Sequence, residues 1–206
     1  DIMKYGEYDY GQPSILIDKP YLLKVDISKM EDLSAFWIDK IGKLFTVHYK
    51  KYAESSLYES LAKIANLLKN SSEYSPYDIK ELIKNNIEIN DKIITKKYEK
   101  DDLINVYKSI DFNLFKHAET ISDIITIMRT KNYQGSIIDI EIFNIIFNIS
   151  CLILDKRISQ QNPNGYTLLG NYDKYYILYS ERIKNVKVFN LIQKKDQIIF
   201  YNKIFK

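Results

Sequence analysis

The chain of 206 residues contains a single cysteine, Cys151, and only two histidines. One thiol excludes an internal disulfide and any structural zinc site built on several thiolates, and it favours a reducing, cytoplasmic compartment. The two histidines have no thiol or acidic cluster beside them, so we expect no metal site. No glycine loop of the kind that cradles a phosphate is present, and we expect no cofactor. No segment resembles a signal peptide or a membrane span, because the most apolar stretch, residues 137–154, includes two acids and two asparagines.

Glycine and proline are also scarce, at 6 and 4 residues, which favours regular secondary structure. A net charge of +3 from 30 basic and 27 acidic residues does not predict a nucleic-acid partner. The apolar fraction of 46% is enough for the core of one domain. Because the sequence begins at Asp1 rather than Met, we expect it to be part of a longer protein.

Apolar periodicity and capping residues predict the helices. Ser28 and Glu31 have the spacing of a capping box and predict a helix that carries Trp37 and ends near Gly42. Further helices are predicted from Ser56, from Ser75, over 102–110, over 120–129, and after Ser136 with Asp139 as its capping partner.

Short apolar runs predict strands at 14–17, 21–25, 44–48, 149–154, 175–179, 186–192 and 197–205. Helices gather in the middle of the chain and strands in its last third. This order predicts one α+β domain, with a central, mostly antiparallel sheet packed by helices. We expect an N-terminal arm and helix over 1–43 to form one compact unit with 44–206.

Several segments, in this order, resemble the ovarian-tumour (OTU) family of cysteine proteases, which remove ubiquitin from proteins. Ser56-Leu57-Tyr58 opens a helix as Cys-Leu-Phe/Tyr does in that family, and the helix after Ser75 is similar to its next helix. Tyr133-Gln134-Gly135, followed by Asp139-Ile140-Glu141, looks like the family's Trp-Gly-Gly and Glu-Leu segment. Val188-Phe189-Asn190-Leu191-Ile192 is similar to its His-Tyr-Asn-x-Ile strand.

The resemblance implies an OTU-like fold of the papain-like superfamily, with Ser56 at the nucleophile position and Val188 at the base position. It also implies that a former cleft includes Glu54, Ser55, Tyr133 and Phe189. A thiol protease needs a thiolate and a base hydrogen-bonded to it, and neither Ser56 nor Val188 supplies one. The natural loss of both groups predicts a pseudoenzyme.

Three functions remain open on the sequence. The first is a catalytically inactive, OTU-like domain that binds or scaffolds proteins, with ubiquitin or a ubiquitin-like protein as the partner class implied by the resemblance. The second is an active OTU-type deubiquitinase seen with Cys replaced by Ser at position 56. The third is a tyrosine-rich nucleic-acid-binding or assembly domain of a viral or intracellular parasite protein, because basic residues and tyrosines are neighbours at 49–52, 96–98 and 174–176.

Other reactive residues are better explained by structure. Cys151 lies in an apolar run that predicts a buried, inert thiol. His48 precedes the predicted nucleophile helix instead of following it, and His117 is expected on a helix, either at the surface or half-buried. The acidic pairs Asp101/Asp102 and Asp139/Glu141 suit helix N-termini, where negative charge is stabilising.

Overall fold

The computed structural model describes residues 28–50, 56–89, 92–93, 98–130, 132–160, 162–183 and 186–201. The strands predicted at 14–17 and 21–25 lie outside these residues. Within them, the helices are α1 (Ala35–Ile41), α2 (Ser56–Lys69), α3 (Pro76–Asn85), α4 (Lys100–Ile110), α5 (Phe112–Phe115), α6 (Ile121–Met128) and α7 (Ile137–Phe147). The strands are β1 (Ser28–Asp32), β2 (Phe45–Lys50), β3 (Glu88–Ile89), β4 (Lys92–Ile93), β5 (Ser150–Asp155), β6 (Tyr166–Leu169), β7 (Tyr175–Ile183) and β8 (Val186–Lys194).

Six strands form one sheet in the order β1-β2-β8-β7-β5-β6. Every neighbouring pair is antiparallel except β5 and β7, which run parallel. Strands β3 and β4 form a separate two-stranded ribbon. The predicted α+β class, with a mostly antiparallel sheet packed by helices, is confirmed.

The two faces of the sheet bury different cores. Helices α2 to α7 contribute to the larger core, which includes Leu61, Ile79 and Phe143 and packs against Leu178 and Leu191 of the sheet. Strand residues that alternate with these point to the other face, where α1 covers them. This smaller core contains Leu33, Trp37, Phe45, Val47, Leu152, Leu154, Tyr175, Ile177, Tyr179, Ile192 and Phe200.

Local sequence explains where several helices begin. Ser75 and Asp78 form the predicted capping box at the start of α3, with Pro76 as its first residue. Thr120 and Asp123 form a second capping box at α6. Helix α7 ends at Asn148, whose φ of 52° lies in the left-handed region that asparagine tolerates.

The predicted helix from Ser28 is wrong, because Ser28–Asp32 is strand β1 and pairs with β2. The helix begins instead at Ala35, after Ser34. The strand predicted from Gln197 is also wrong as far as the structure describes it, since Gln197 and Phe200 form isolated bridges. Strand β6, helix α5 and the β3–β4 ribbon were not predicted.

Within the described ranges, none of the helices has both the length and the apolar character that crossing a bilayer requires.

Candidate functional site

The first residue of α2 lies against strand β8. The main-chain N–H of Phe189 donates a hydrogen bond of 3.0 Å to the hydroxyl of Ser56. Both residues are buried, at 2% and 1% exposure, so the bond is shielded from water. The fold therefore joins two of the predicted site residues that are 133 positions apart in the chain.

Side chains of β8 alternate between the two faces of the sheet. Phe189 and Leu191 pack in the core on the side of α2, whereas Ile192 packs in the core on the side of α1. The pairing of β7 with β8 runs without a break, so Val188 points to the face away from α2. Val188 is next to Phe189 in the chain, but its side chain does not point towards Ser56.

No base is hydrogen-bonded to Ser56 among the residues that the structure describes. Phe189 is the one partner of its hydroxyl there. His48 lies opposite Leu191 in the sheet, and cross-strand partners share a face, so His48 is on the α2 side without bonding to Ser56. His117 is exposed after α5. An alcohol without a base is not an effective nucleophile.

The segment before α7 packs directly on the start of α2. Gly135 has a φ of +93°, and a Cβ atom built there would lie 2.4 Å from Cδ2 of Leu57 and 3.3 Å from the ring of Tyr58. Both the backbone conformation and the close approach require glycine. The structure thus places the predicted 133–135 segment beside the predicted Leu57-Tyr58 pair.

Three tyrosine hydroxyls surround the carboxylate of Asp139, which is fully buried in α7. Tyr58 donates to Oδ2 at 2.6 Å and Tyr133 at 2.8 Å, while Tyr107 donates to Oδ1 at 3.4 Å. The main-chain N–H of Ser136 also donates to this carboxylate. The predicted capping role of Asp139 is therefore confirmed in part, since the Ser136 side chain forms no capping bond in return.

Lys80 of α3 is buried beside this cluster. Its ammonium donates to the carbonyl oxygens of Thr130 at 2.9 Å and Tyr133 at 3.0 Å. It also lies 5.6 Å from the centres of the Tyr58 and Tyr133 rings, within the range of a cation–π interaction. The cluster thus links α2, α3, α4 and α7 beneath the segment that carries Tyr133.

Burial determines the ionisation of both charged groups. Desolvation raises the pKa of Asp139 to about 6. The hydrogen bonds from Tyr58 and Tyr133 lower this pKa, but their effect is smaller than that of desolvation. Desolvation lowers the pKa of Lys80 to about 7, and the nearby Asp139 opposes that shift. Burial likewise raises the pKa of Tyr107 and of Tyr133 well above the usual range, so both hydroxyls stay protonated as donors.

Tyr133 and Phe189, both predicted as cleft residues, line one cavity of about 350 Å³. Its walls are the junction of α4 with α5, the segment 132–137, and the β7–β8 hairpin. Among the described residues that line it, Arg182 and Lys187 are basic, and they are cross-strand partners. Glu54 and Ser55, predicted for the same cleft, lie outside the described residues.

The remaining candidates are in structural positions. Cys151 is fully buried in β5, and burial raises the pKa of its thiol, which makes it unreactive. Asp101 and Asp102 lie in the first turn of α4, as predicted for residues that favour a helix N-terminus. Across the described ranges, no group of three or more His, Cys, Asp or Glu side chains has an arrangement that would hold a metal ion.

Comparison with solved structures shows a similar fold in a known protein. No protein-family model matches the chain, and no curated protein matches it. Among solved structures, an ovarian-tumour (OTU) domain in complex with ubiquitin is similar at 12% sequence identity, with a TM-score of 0.48, over 84% of this chain and 81% of that chain. A likeness of this size does not assign the chain to a family.

The Asp139 cluster is the part of the site that the sequence did not predict. Its members come from four helices and one connecting segment, so no local spacing joins them. The available signal was a pair of acids, Asp139 and Glu141, in α7, whose sequence IIDIEIFNIIF has eight apolar residues out of eleven. A carboxylate in such a helix needs buried donors.

Proposed function

We propose that the chain is a catalytically inactive, OTU-like domain that binds a protein partner and acts as a scaffolding module in a larger protein. The observation that carries this proposal is the hydrogen bond between the Ser56 hydroxyl and the main-chain N–H of Phe189. Acyl transfer by a hydroxyl or a thiol needs a base in this position, and an amide N–H only donates. The bond therefore supports loss of hydrolytic function.

Inactivity does not depend on which residue of β8 occupies the former base position. Val188 is the residue predicted by the motif, and Phe189 is the β8 residue whose main-chain N–H bonds to the Ser56 hydroxyl. Neither side chain has an atom that takes up a proton. Both assignments therefore lead to a domain without a general base at this strand.

The partner class that we propose is ubiquitin or a ubiquitin-like protein. Its support is the resemblance of the segments around Ser56, Tyr133 and Val188 to the OTU motifs. The cavity lined by Tyr133 and Phe189 is the proposed contact region, and the side chains of Arg182 and Lys187 would face acidic or carbonyl groups of the partner there.

The catalytic part is tested with ubiquitin that carries an electrophile at its carboxyl terminus. The Ser56→Cys variant should form no more covalent adduct than the wild-type chain, whose buried Cys151 serves as the background. Intact-mass spectrometry measures the adduct. Rapid labelling of Ser56→Cys alone would overturn the proposal and favour an active cysteine protease with Cys replaced at position 56.

The binding part is tested separately by nuclear magnetic resonance. Unmodified ubiquitin is titrated into the isotope-labelled chain, and shifts are expected at residues of the cavity such as Gln134. Lys187→Glu should weaken binding, whereas Lys43→Glu, an equal charge change at an exposed residue between α1 and β2 that does not line the cavity, should not. Absence of shifts, or equal loss in both variants, would remove ubiquitin as the partner and leave the conclusion on catalysis intact.

A further inference from the structure

A second cavity, of about 560 Å³, lies beyond the carboxyl end of β5. Cys151 and Ile153 of that strand pack in the larger core, so Asp155, two residues further on, points to the same face of the sheet. Asp155 is opposite Ser180 of β7, which lies on this face as well. All ten of the described residues that line the second cavity are polar or charged. The face therefore changes from apolar to polar where its strands leave the core.

Both acids of the second cavity have partners in the chain. Glu181 accepts a hydrogen bond of 2.9 Å from Lys156, with which it forms an ion pair. The carboxylate of Asp155 accepts one hydrogen bond from the Ser180 hydroxyl and another, of 2.6 Å, from the side-chain amide of Asn162. In the part of the chain that the structure describes, neither acid forms an ion pair with any other cation of the cavity.

Two of the remaining cations face each other across the sheet. Arg182 and Lys187 are directly opposite in the antiparallel pair of β7 and β8, and like charges in such positions destabilise a sheet. Desolvation lowers the pKa of Lys187; the charge of Asp155 opposes that shift, and the charge of Arg182 adds to it. Arg157 is a third cation in the same cavity. These three cations face one carboxylate, and a bound anion would relieve their repulsion.

We propose that the second cavity binds a phosphate group, either as the free ion or as the ester of a small polar molecule. A guanidinium group donates two parallel hydrogen bonds to two phosphate oxygens, and Arg157 and Arg182 both line the cavity. The hydroxyls of Ser159 and Thr167 are further donors in its wall. A phosphate dianion matches the excess of positive charge, whereas a wholly polar wall offers no apolar contact to a lipid chain and no ring to stack on a base.

The experiment is a titration of the isotope-labelled full chain with inorganic phosphate, at an ionic strength held constant with sodium chloride. Saturable shifts in the nuclear magnetic resonance spectrum are expected at the main-chain N–H groups of Ser159, Asn162 and Thr167. Lys187→Gln should raise the dissociation constant at least about tenfold, because a hydrogen bond between charged groups is lost. Lys43→Gln is the matched control, since it removes the same charge from an exposed residue that does not line the cavity.

A second variant separates this site from the proposed contact region of the protein partner. Arg157 lines the second cavity but not the cavity of Tyr133 and Phe189. Arg157→Gln should therefore weaken phosphate binding and leave the ubiquitin titration unchanged. Loss of one kind of binding without the other shows which of the two proposals fails.

Ribose 5-phosphate distinguishes the two forms of the ligand. Tighter binding than that of inorganic phosphate would identify an ester of a small molecule, and equal binding would identify the free ion. Phosphate should also raise the unfolding temperature of the wild-type chain more than that of Lys187→Gln. Shifts that sodium chloride reproduces, or equal weakening by Lys187→Gln and Lys43→Gln, would overturn the proposal.

Discussion

The hydroxyl of Tyr58 donates a 2.6 Å hydrogen bond to the carboxylate of Asp139, 81 positions later in the chain. This bond joins the start of α2 to the start of α7. The same helix start contacts β8 through Ser56, so the position of the candidate site depends on a buried polar cluster as well as on apolar packing.

Tyr58→Phe should destabilise the fold without changing its shape. The substitution removes one donor from a buried carboxylate, and such a loss lowers the free energy of unfolding by about 1–3 kcal/mol. Urea denaturation measures it. Tyr172→Phe, which removes a hydroxyl from an exposed tyrosine, should leave the midpoint unchanged. Equal effects of the two substitutions would show that the Tyr58–Asp139 hydrogen bond does not stabilise the fold more than an exposed hydroxyl does.

The stability of the chain should pass through a minimum between about pH 6 and pH 7. The pKa of Asp139 is about 6 in the folded chain, whereas its usual value is 3.8. Between these two values the folded state binds more protons than the unfolded state, so the free energy of unfolding falls as the pH rises. The pKa of Lys80 is about 7 in the folded chain, whereas its usual value is 10.5. Between these two values the unfolded state binds more protons, so the free energy of unfolding rises as the pH rises.

Two variants test which residue causes each part of this pH dependence. Asp139→Asn should reduce the fall in unfolding free energy between pH 4 and pH 6, relative to the wild-type chain. Lys80→Met should reduce the rise in unfolding free energy above pH 7. Other buried groups, including Asp78 and Glu81, also have raised pKa values, so the difference between variant and wild type is the quantity to compare. Urea denaturation from pH 4 to pH 10 provides it, and unchanged slopes in both variants would contradict the assignment.

Gly135→Ala should be more destabilising than Gly42→Ala. Both glycines have φ near +100°, at +93° and +101°, so both substitutions carry a backbone strain of about 1–3 kcal/mol. The Cβ atom at Gly135 also meets Leu57 at 2.4 Å, whereas nothing lies within 4 Å of the one at Gly42. The difference in unfolding free energy between the two variants measures the steric overlap of the new Cβ atom with Leu57. Equal losses of stability in the two variants would show that this overlap has no effect.

Ser56→Ala should be more destabilising than Ser60→Ala. The first removes the acceptor of the buried Phe189 N–H and leaves that donor unsatisfied, at about 1–3 kcal/mol. The second removes only a donor to the Ser56 carbonyl one helical turn earlier. Thermal unfolding of both variants distinguishes them. Hydrogen exchange at Phe189, which should accelerate in Ser56→Ala alone, gives a local readout.

Local signals in the sequence predicted the elements that begin with their own capping residues. Ser75, Pro76 and Asp78 all lie within one helical turn, so their bonds form without help from the rest of the chain. Ser28 and Glu31 have a similar spacing, but pairing with β2 satisfies that backbone instead. Tertiary pairing overrides a cap where a neighbouring strand offers more hydrogen bonds.

The sequence did not predict relationships that depend on distant contacts. The order of motifs led to Ser56 and to the strand at 188–192, and the fold joins them at Phe189. Which side chain of that strand lies on the α2 face depends on the register of β8, and a shift of one residue reverses it. Strand β6 has only four residues between glycines, too few for its pattern to be distinctive.

Helix α1 determines where a shortened version of the protein can begin. The indole of Trp37 is 1% exposed, and its N–H donates to the carbonyl of Asp155 at 2.5 Å. A fragment that starts at Leu44 would lose this aromatic ring and uncover Ile177 and Tyr179 on the second face of the sheet. Such a fragment should aggregate, so recombinant versions for these measurements must include β1 and α1.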